Sequence, residues 1–185
     1  MPETGLPLAT PRLVLRRFLP TDGAGLHAYL SRPEAVAFEP YPVQSREACD
    51  LEARRRSGDQ DFLAVCRADT GELVGNLYFH PEDPEAWRTS ELGYVFHPDH
   101  WGRGYATEAV RGLLDLAFGQ WGVRRVTARC NPDNAASWRL LERVGFRREG
   151  HLLAAVSFVD DEHGNPLWHD TYLYALLASE WESAG

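Results

Sequence analysis

The chain has 185 residues, 44% hydrophobic and 25% charged, with 19 Lys+Arg against 27 Asp+Glu and a formal net charge of -8. That length suits one domain that buries its own core, and the composition excludes a disordered or fibrous chain. The acidic balance argues against a general nucleic-acid binder, which must bring positive charge to the phosphates, and fits a cationic substrate or a partner's basic tail better.

Residues 1–11, with Pro2, Gly5, Pro7 and Pro11, read as a loose lead-in. Arg12–Phe18 alternates in the manner of a first strand. Pro20-Thr21-Asp22 starts a helix whose face is Leu26, Tyr29 and Leu30, ending near Ser31. A second helix runs from the N-cap Ser45 to Gly58. Its Arg54-Arg55-Arg56 run reads as a solvated helix end, with a phosphate site as the other reading. Phe62–Arg67 and Glu72–His80 form a hairpin about the Asp69-Thr70-Gly71 turn. After a polar connection, Glu91–Phe96 is a fourth strand, closed by His97-Pro98. A Gly-rich turn then opens a long helix with a stripe of Ala106, Ala109, Val110, Leu113 and Ala117, and Gly122 ends it.

Arg124–Cys130 is the fifth strand. Asn134 caps a shorter helix with the face Ser137, Leu140, Leu141 and Val144, and Gly145 and Phe146 suit its C-terminal cap. Two strands follow, near Phe146–Phe158 and Trp168–Leu177, joined by the turn Asp160–Pro166. This order implies a single α/β domain over residues 1–185, with one mixed, strongly twisted sheet of about seven strands and about four helices on its two faces.

The cysteines Cys49, Cys66 and Cys130 are widely spaced, odd in number and form no CxxC pair. A reducing, cytoplasmic setting without a disulfide framework is therefore expected. Met1–Thr10 lacks the pattern of a signal peptide, and no stretch approaches ~18 consecutive apolar residues, so no membrane span is expected. His97 and His100 are spaced like metal ligands, but Pro98 intervenes and no third ligand is evident, so no metal is expected.

Chemistry concentrates in two segments. The first is strand, turn, helix over Tyr94–Glu108, with Trp101-Gly102-Arg103-Gly104-Tyr105-Ala106 as the turn. A helix N-terminus offers unpaired N–H groups and partial positive charge, glycines admit an anion to the backbone, and Arg103 adds a full charge. An anion site, most naturally for a diphosphate, and a tight turn into a core helix both fit. It is neither a P-loop nor a dinucleotide fingerprint. The second segment is Asn131–Phe146, where Asn134 caps a helix and Ser137 sits in its first turn. Ser137 could protonate a leaving group or serve the cap alone.

Together these segments resemble the Gcn5-related N-acetyltransferase (GNAT) superfamily, in particular the RimJ/RimL-like branch of ribosomal-protein acetyltransferases. The resemblance spans nearly the whole chain, through Thr10–Arg16, Glu91–Tyr94, Trp101–Ala109, Asn131–Phe146 and His169–Tyr174. It implies acetyl-CoA as co-substrate and transfer of the acetyl group to a primary amine, either a protein N-terminal α-amino group or a small molecule, with a homodimer as one assembly. A non-catalytic acyl-CoA-binding regulator is the alternative.

By the same resemblance, Gly102, Arg103, Gly104, Tyr105, Ala106 and Thr107 would hold the pyrophosphate. Trp101 stands where the family usually has Gln or Arg. Val95 and Phe96 would pair with the pantetheine arm and polarise the acetyl carbonyl. Asn131 and Asn134 would contact the cofactor, and Ser137 would lie near its sulfur. Many relatives protonate the thiolate with a tyrosine on the helix after the fifth strand. Here no tyrosine lies between Tyr105 and Tyr172, which leaves Ser137. A carboxylate base is often found on the strand after Glu149, yet Gly150–Val159 has none. Glu91 is then the first choice, draining a proton through water over ~13 Å of strand from Val95, or else it pairs structurally with an arginine of a neighbouring strand. Trp87 and Trp168 line an acceptor pocket or pack. Asp170 and Tyr172 begin the last strand near where acceptors enter in this family.

Overall fold

A computed structural model of the chain describes residues 4–160 and 162–182. Met1–Glu3 of the expected lead-in and Asp161 of the expected turn lie outside the described residues. The chain runs through β1 (Leu8–Ala9), β2 (Leu13–Arg17), α1 (Gly23–Leu30), α2 (Pro33–Val36), α3 (Arg46–Ser57), β3 (Phe62–Arg67), β4 (Leu73–Pro81) and β5 (Thr89–Phe96). It continues with α4 (Tyr105–Gly119), β6 (Arg125–Cys130), α5 (Ala135–Val144), β7 (Arg147–Asp160), β8 (Pro166–Leu177) and α6 (Ala178–Glu182). The eight strands form one mixed sheet in the order β1-β2-β3-β4-β5-β6-β8-β7. All neighbours are antiparallel except β5 and β6.

The α/β class agrees with the sequence; the additions are short elements. β1 lies inside the expected lead-in and pairs Leu8 with Leu15. Two residues between prolines carry no periodicity to read. The brief α2 and α6 escaped for the same reason. α4 stops at Gly119 rather than Gly122, because the Gln120 and Trp121 N–H groups both return to the Leu116 carbonyl. The expected solvated end of α3 also needs correction, since Arg56 is only 3% exposed.

Two apolar layers flank the sheet. α4 and α5 cover one face with Val110, Leu113, Leu141 and Val144 against Leu92, Phe96 and Val126. α1 and α3 cover the other with Leu26, Tyr29, Cys49 and Ala53 against Ala64 and Val95. Side chains alternate along a strand, so β5 sends Tyr94 and Phe96 toward α4 and α5 but Val95 toward α1 and α3.

The feature that positions the site is a fork. β5 and β6 pair in parallel from Thr89↔Arg125 to Leu92↔Ala128 and no further, although β5 runs on to Phe96 and β6 to Cys130. β4 stays on β5 through Gly75↔Phe96, and β8 stays on β6 through Cys130↔Tyr172. Each arm is therefore held from outside while the inner edges part.

Candidate active site

The turn into α4 bounds one side of the fork. Gly102 and Gly104 have φ of +73° and +80°, a left-handed backbone that other residues enter only at a cost. Gly104 is the N-cap and supplies no side chain to the helix. By contrast Ser45 Oγ accepts from the Ala48 N–H in α3, and Asn134 Oδ1 accepts from the Ser137 N–H in α5. The first N–H groups of α4 are left for an outside acceptor, where the helix dipole favours an anion. Trp101 braces the turn, its Nε1 donating to the Phe96 carbonyl at 2.9 Å.

The second brace comes from the N-terminal strands. Glu108 accepts from the Thr10 hydroxyl at 2.6 Å, the Arg12 N–H at 2.8 Å and Arg12 Nε at 2.6 Å. Arg12 also donates to the Arg103 carbonyl at 3.0 Å and lies over the Tyr105 ring. Burial opposes the charge on Glu108, but these hydrogen bonds outweigh it and hold the carboxyl below its usual range. A groove of about 600 Å³ runs alongside, lined by Arg12, Gly104, Thr107, Arg111 and Arg143 among others. Arg143 reaches the Thr107 hydroxyl at 3.2 Å. Arg103 itself is exposed at the mouth.

The N-terminus of α5 bounds the other side. Asn131 Oδ1 accepts from the Asp133 N–H at 2.8 Å, and the Asn131 carbonyl accepts from the Asn134 N–H at 3.0 Å. This turn delivers Asn134 to its cap. The cap occupies only the Asn134 carbonyl oxygen, so its NH2 remains a donor. Gly145 (φ +113°) and Phe146 close the helix as expected, both N–H groups returning to the Leu141 carbonyl.

Ser137 has a partner that sequence reasoning missed. The Tyr94 hydroxyl lies 3.0 Å from Ser137 Oγ and 3.1 Å from the Ser137 carbonyl. This tyrosine comes not from the helix after the fifth strand but from β5, next to Val95. Strand alternation was the available signal, since it turns Tyr94 away from Val95 toward the α5 side. Burial pushes the Tyr94 phenol well above its ordinary range, so it stays protonated, a donor and not a base. Cys130 lies at the end of β6, and burial pushes its thiol up to about 11, against the opposing influence of Ser137. It is no thiolate nucleophile at neutral pH.

Glu91 lies 3.8 Å from Arg129 of the neighbouring β6, a spacing compatible with an ion pair and with a water-linked base alike. Asp170 is occupied by His151 at 2.8 Å and by the Ala154 N–H at 2.9 Å, where β7 bulges. Tyr172 sits beneath Arg148 opposite Cys130. Trp87 and Trp168 are exposed. His97 Nδ1 accepts from the Asp99 N–H, and His100 Nε2 faces Glu72 at 3.1 Å. Among the described residues no group of three or more His, Cys, Asp or Glu could hold a metal ion, and no helix is long and apolar enough to cross a membrane.

Comparison with known proteins gives one family. Residues 12–147 match the acetyltransferase (GNAT) domain. The chain is 31% identical over 176 residues to the uncharacterized N-acetyltransferase YnaD of Bacillus subtilis (strain 168), covering 94% of this chain and 98% of that protein. It is 31% identical over 137 residues to the putative ribosomal N-acetyltransferase YdaF of the same organism, covering 74% of this chain and 71% of YdaF. Among solved structures, the GNAT-family acetyltransferase from Bacillus anthracis superposes with a TM-score of 0.84 at 31% identity, over 93% of this chain and 98% of that one.

Proposed function

The chain belongs to the GNAT acetyltransferase family, and from that premise we propose that it transfers the acetyl group of acetyl-CoA to a primary amine by direct attack in a ternary complex. The observation that carries this reading is the fork between β5 and β6, with uncapped N–H groups on one side and the Ser137–Tyr94 hydroxyl pair on the other.

In this reading Gly102–Thr107 hold the pyrophosphate through backbone N–H groups, and Arg103 lends charge. Arg12, Arg111 and Arg143 in the adjoining groove suit further phosphate. The free edge of β5 at Val95 and Phe96 pairs with the pantetheine arm, and an N–H there stabilises the carbonyl oxygen as charge develops. The Asn134 NH2 donates to the arm, placed by the Asn131 turn. Ser137, backed by Tyr94, protonates the departing sulfur. A Cys130 held as a thiol favours direct transfer over an acetyl-cysteine intermediate. Proximity of two bound substrates supplies most of the rate.

The acceptor is a protein α-amino group or a small amine; likeness to a putative ribosomal N-acetyltransferase favours the protein. The test incubates the purified chain with acetyl-CoA and a panel of N-terminal peptides and small amines, following release of the CoA thiol and acetylated products by mass spectrometry. Turnover supports the proposal. Tight acetyl-CoA binding with no acceptor turned over would instead give an acyl-CoA-binding regulator.

A further inference from the structure

The face of β5 opposite Ser137 carries a polar cluster that the functions assigned so far leave unused. Val36, at the end of α2, shares its buried layer with Val95 of β5 and with Tyr29. The Glu39 N–H donates to the Val36 carbonyl at 3.0 Å, which fixes Glu39 just beyond that contact. Tyr41 packs on the same layer, and its hydroxyl acts electrostatically on both Glu39 and Arg56. Beside them lies Arg56, whose Nε bonds Glu52 at 2.7 Å and whose guanidinium lies 4.4 Å from the Phe62 ring centroid. Arg56 Nη1 is buried and has no hydrogen-bond partner. A buried N–H left unpaired costs free energy, so its presence here asks for an oxygen from elsewhere. The Tyr29 hydroxyl donates at 2.7 Å to Asn76, the register partner of Val95, while the Phe62 ring beneath Arg56 stands two residues away at the level of Tyr78 and Gly93.

Transfer in this fork needs two proton sites on opposite faces. The thiolate leaves toward Ser137 on the α4–α5 face, so the amine arrives from the α1–α3 face. Most described carboxylates there are already committed. Asp22 holds Arg16, Glu34 holds Arg32, Asp50 holds Arg46, Glu52 and Asp59 hold Arg55, Asp61 holds His80, and Glu91, on the same face of β5 as Val95, lies 3.8 Å from Arg129. Among the described residues Glu39 stands in no such ion pair and is half-buried.

We infer that Glu39 is the base of the acetyl transfer, taking the proton of the acceptor ammonium on the face of β5 opposite Ser137; the inference rests on the acetyltransferase reading above. One N–H bond of the ammonium breaks, its proton passes to the Glu39 carboxylate, and the electron pair stays on nitrogen. That pair forms the C–N bond to the acetyl carbon. The C–S bond then breaks with its electrons on sulfur, which takes a proton from the Ser137 hydroxyl. The adduct nitrogen gives up its second proton on its own face, and Ser137 recovers one from solvent. Glu39 releases its own to solvent, so amide, CoA thiol and one proton are the products.

The groups around Glu39 suit this work. Burial pushes its carboxyl up to about 7, while the Tyr41 hydroxyl and the Arg56 charge both hold it down. A base is most effective when it titrates near the working pH.

The test compares the full chain with Glu39→Gln and Glu39→Asp, using acetyl-CoA with n-butylamine, with a hexapeptide bearing a free amino-terminal serine, and with water as acceptor in thioester hydrolysis. Rates are followed from about pH 5 to about pH 9, on whichever acceptor the unaltered chain uses fastest. Glu39→Gln should lower kcat/KM by roughly a hundredfold below neutrality, the low end of general base catalysis, and converge on the unaltered chain as the pH rises. Glu39→Asp should retain an intermediate rate. Carbon-13 NMR of glutamate-labelled protein should show one carboxyl titrating near neutrality that Glu39→Gln removes, a reading that needs no acceptor. Superposable pH profiles, an equal loss at every pH, or the lack of that titration would each overturn the inference. Calorimetry with acetyl-CoA separates the two claims: no binding by the unaltered chain sinks the acetyltransferase reading, whereas binding with an unaltered Glu39→Gln profile sinks only Glu39.

Discussion

Where the proposed reaction releases its sulfur, one phenolic hydrogen faces two oxygens, since Tyr94 lies within reach of both the carbonyl and the hydroxyl of Ser137. If it goes to the carbonyl, the Ser137 hydrogen is free to point at the phenol oxygen or at an incoming sulfur. The two hydroxyls then act as one unit, and their losses should not add. Ser137→Ala is expected to lower kcat by roughly tenfold to a thousandfold, at or below the scale of lost acid–base help, with acetyl-CoA affinity unchanged. Tyr94→Phe should cost less, and the double variant little more than Ser137→Ala alone. Rate constants under conditions where chemistry limits turnover check this, and strictly multiplicative losses would separate the two residues. On the other side of the fork, Gly104→Val meets a φ of +80° and brings a β-branched side chain to the mouth of the turn. The expected outcome is weaker acetyl-CoA binding in a chain that still folds, read by calorimetry alongside circular dichroism. Ser137 and the glycines were legible because capping and turn chemistry are local. Tyr94, Glu39 and the buried state of Arg56 were not, because each depends on which elements meet across the sheet.

The elements are joined at the site by a few contacts of long sequence separation, and Glu108 makes the most of them. Its carboxylate gathers Thr10 and Arg12 onto α4, so the short β1–β2 segment holds the helix that frames the proposed pyrophosphate turn. Glu108→Gln keeps the shape and removes the charge, and should cost about 1.5–3 kcal/mol, the scale of hydrogen bonds to a charged group. The pH dependence follows from the sign of the shift. The folded carboxyl lies below its unfolded value, so its contribution is complete above the unfolded pKa and fades as the pH falls toward the folded one. Denaturant titrations of both chains should therefore differ at neutral pH and converge in acid; a constant difference would place the effect in packing rather than charge. The same segment marks the limit of pattern reading. The stripe of α4 and both caps of α5 follow from periodicity and from Asn134 and Gly145. β1 depends on a carboxylate 98 positions away from Thr10, and the early end of α4 on a backbone that turns back to Leu116.

Across the whole molecule the charge is uneven. The net charge is -8, yet Arg12, Arg111 and Arg143 gather beside the uncapped start of α4. Under the proposed function an acidic body would steer a cationic acceptor while the basic groove would hold the polyanion, so the two substrates need not compete for one field. Binding to the folded chain alone must stabilise it: at a free concentration near 100 Kd the gain is about 2.7 kcal/mol, which for a chain of this size raises Tm by roughly 5–11 °C. Acetyl-CoA should give that rise in calorimetric scans. Because the phosphates meet exposed arginines, the rise should shrink as salt increases, the screening length falling from about 10 Å at 0.1 M to about 3 Å at 1 M. Arg111→Ala and Arg143→Ala together should flatten the salt dependence while leaving the unliganded Tm within a few degrees. Hydrogen exchange places the effect: protection on adding acetyl-CoA should concentrate in residues 102–107 and 131–137, the two sides of the fork. Protection confined to the β7–β8 hairpin, or a Tm rise indifferent to salt in the unaltered chain, would put the cofactor away from α4 and detach the arginine groove from its binding.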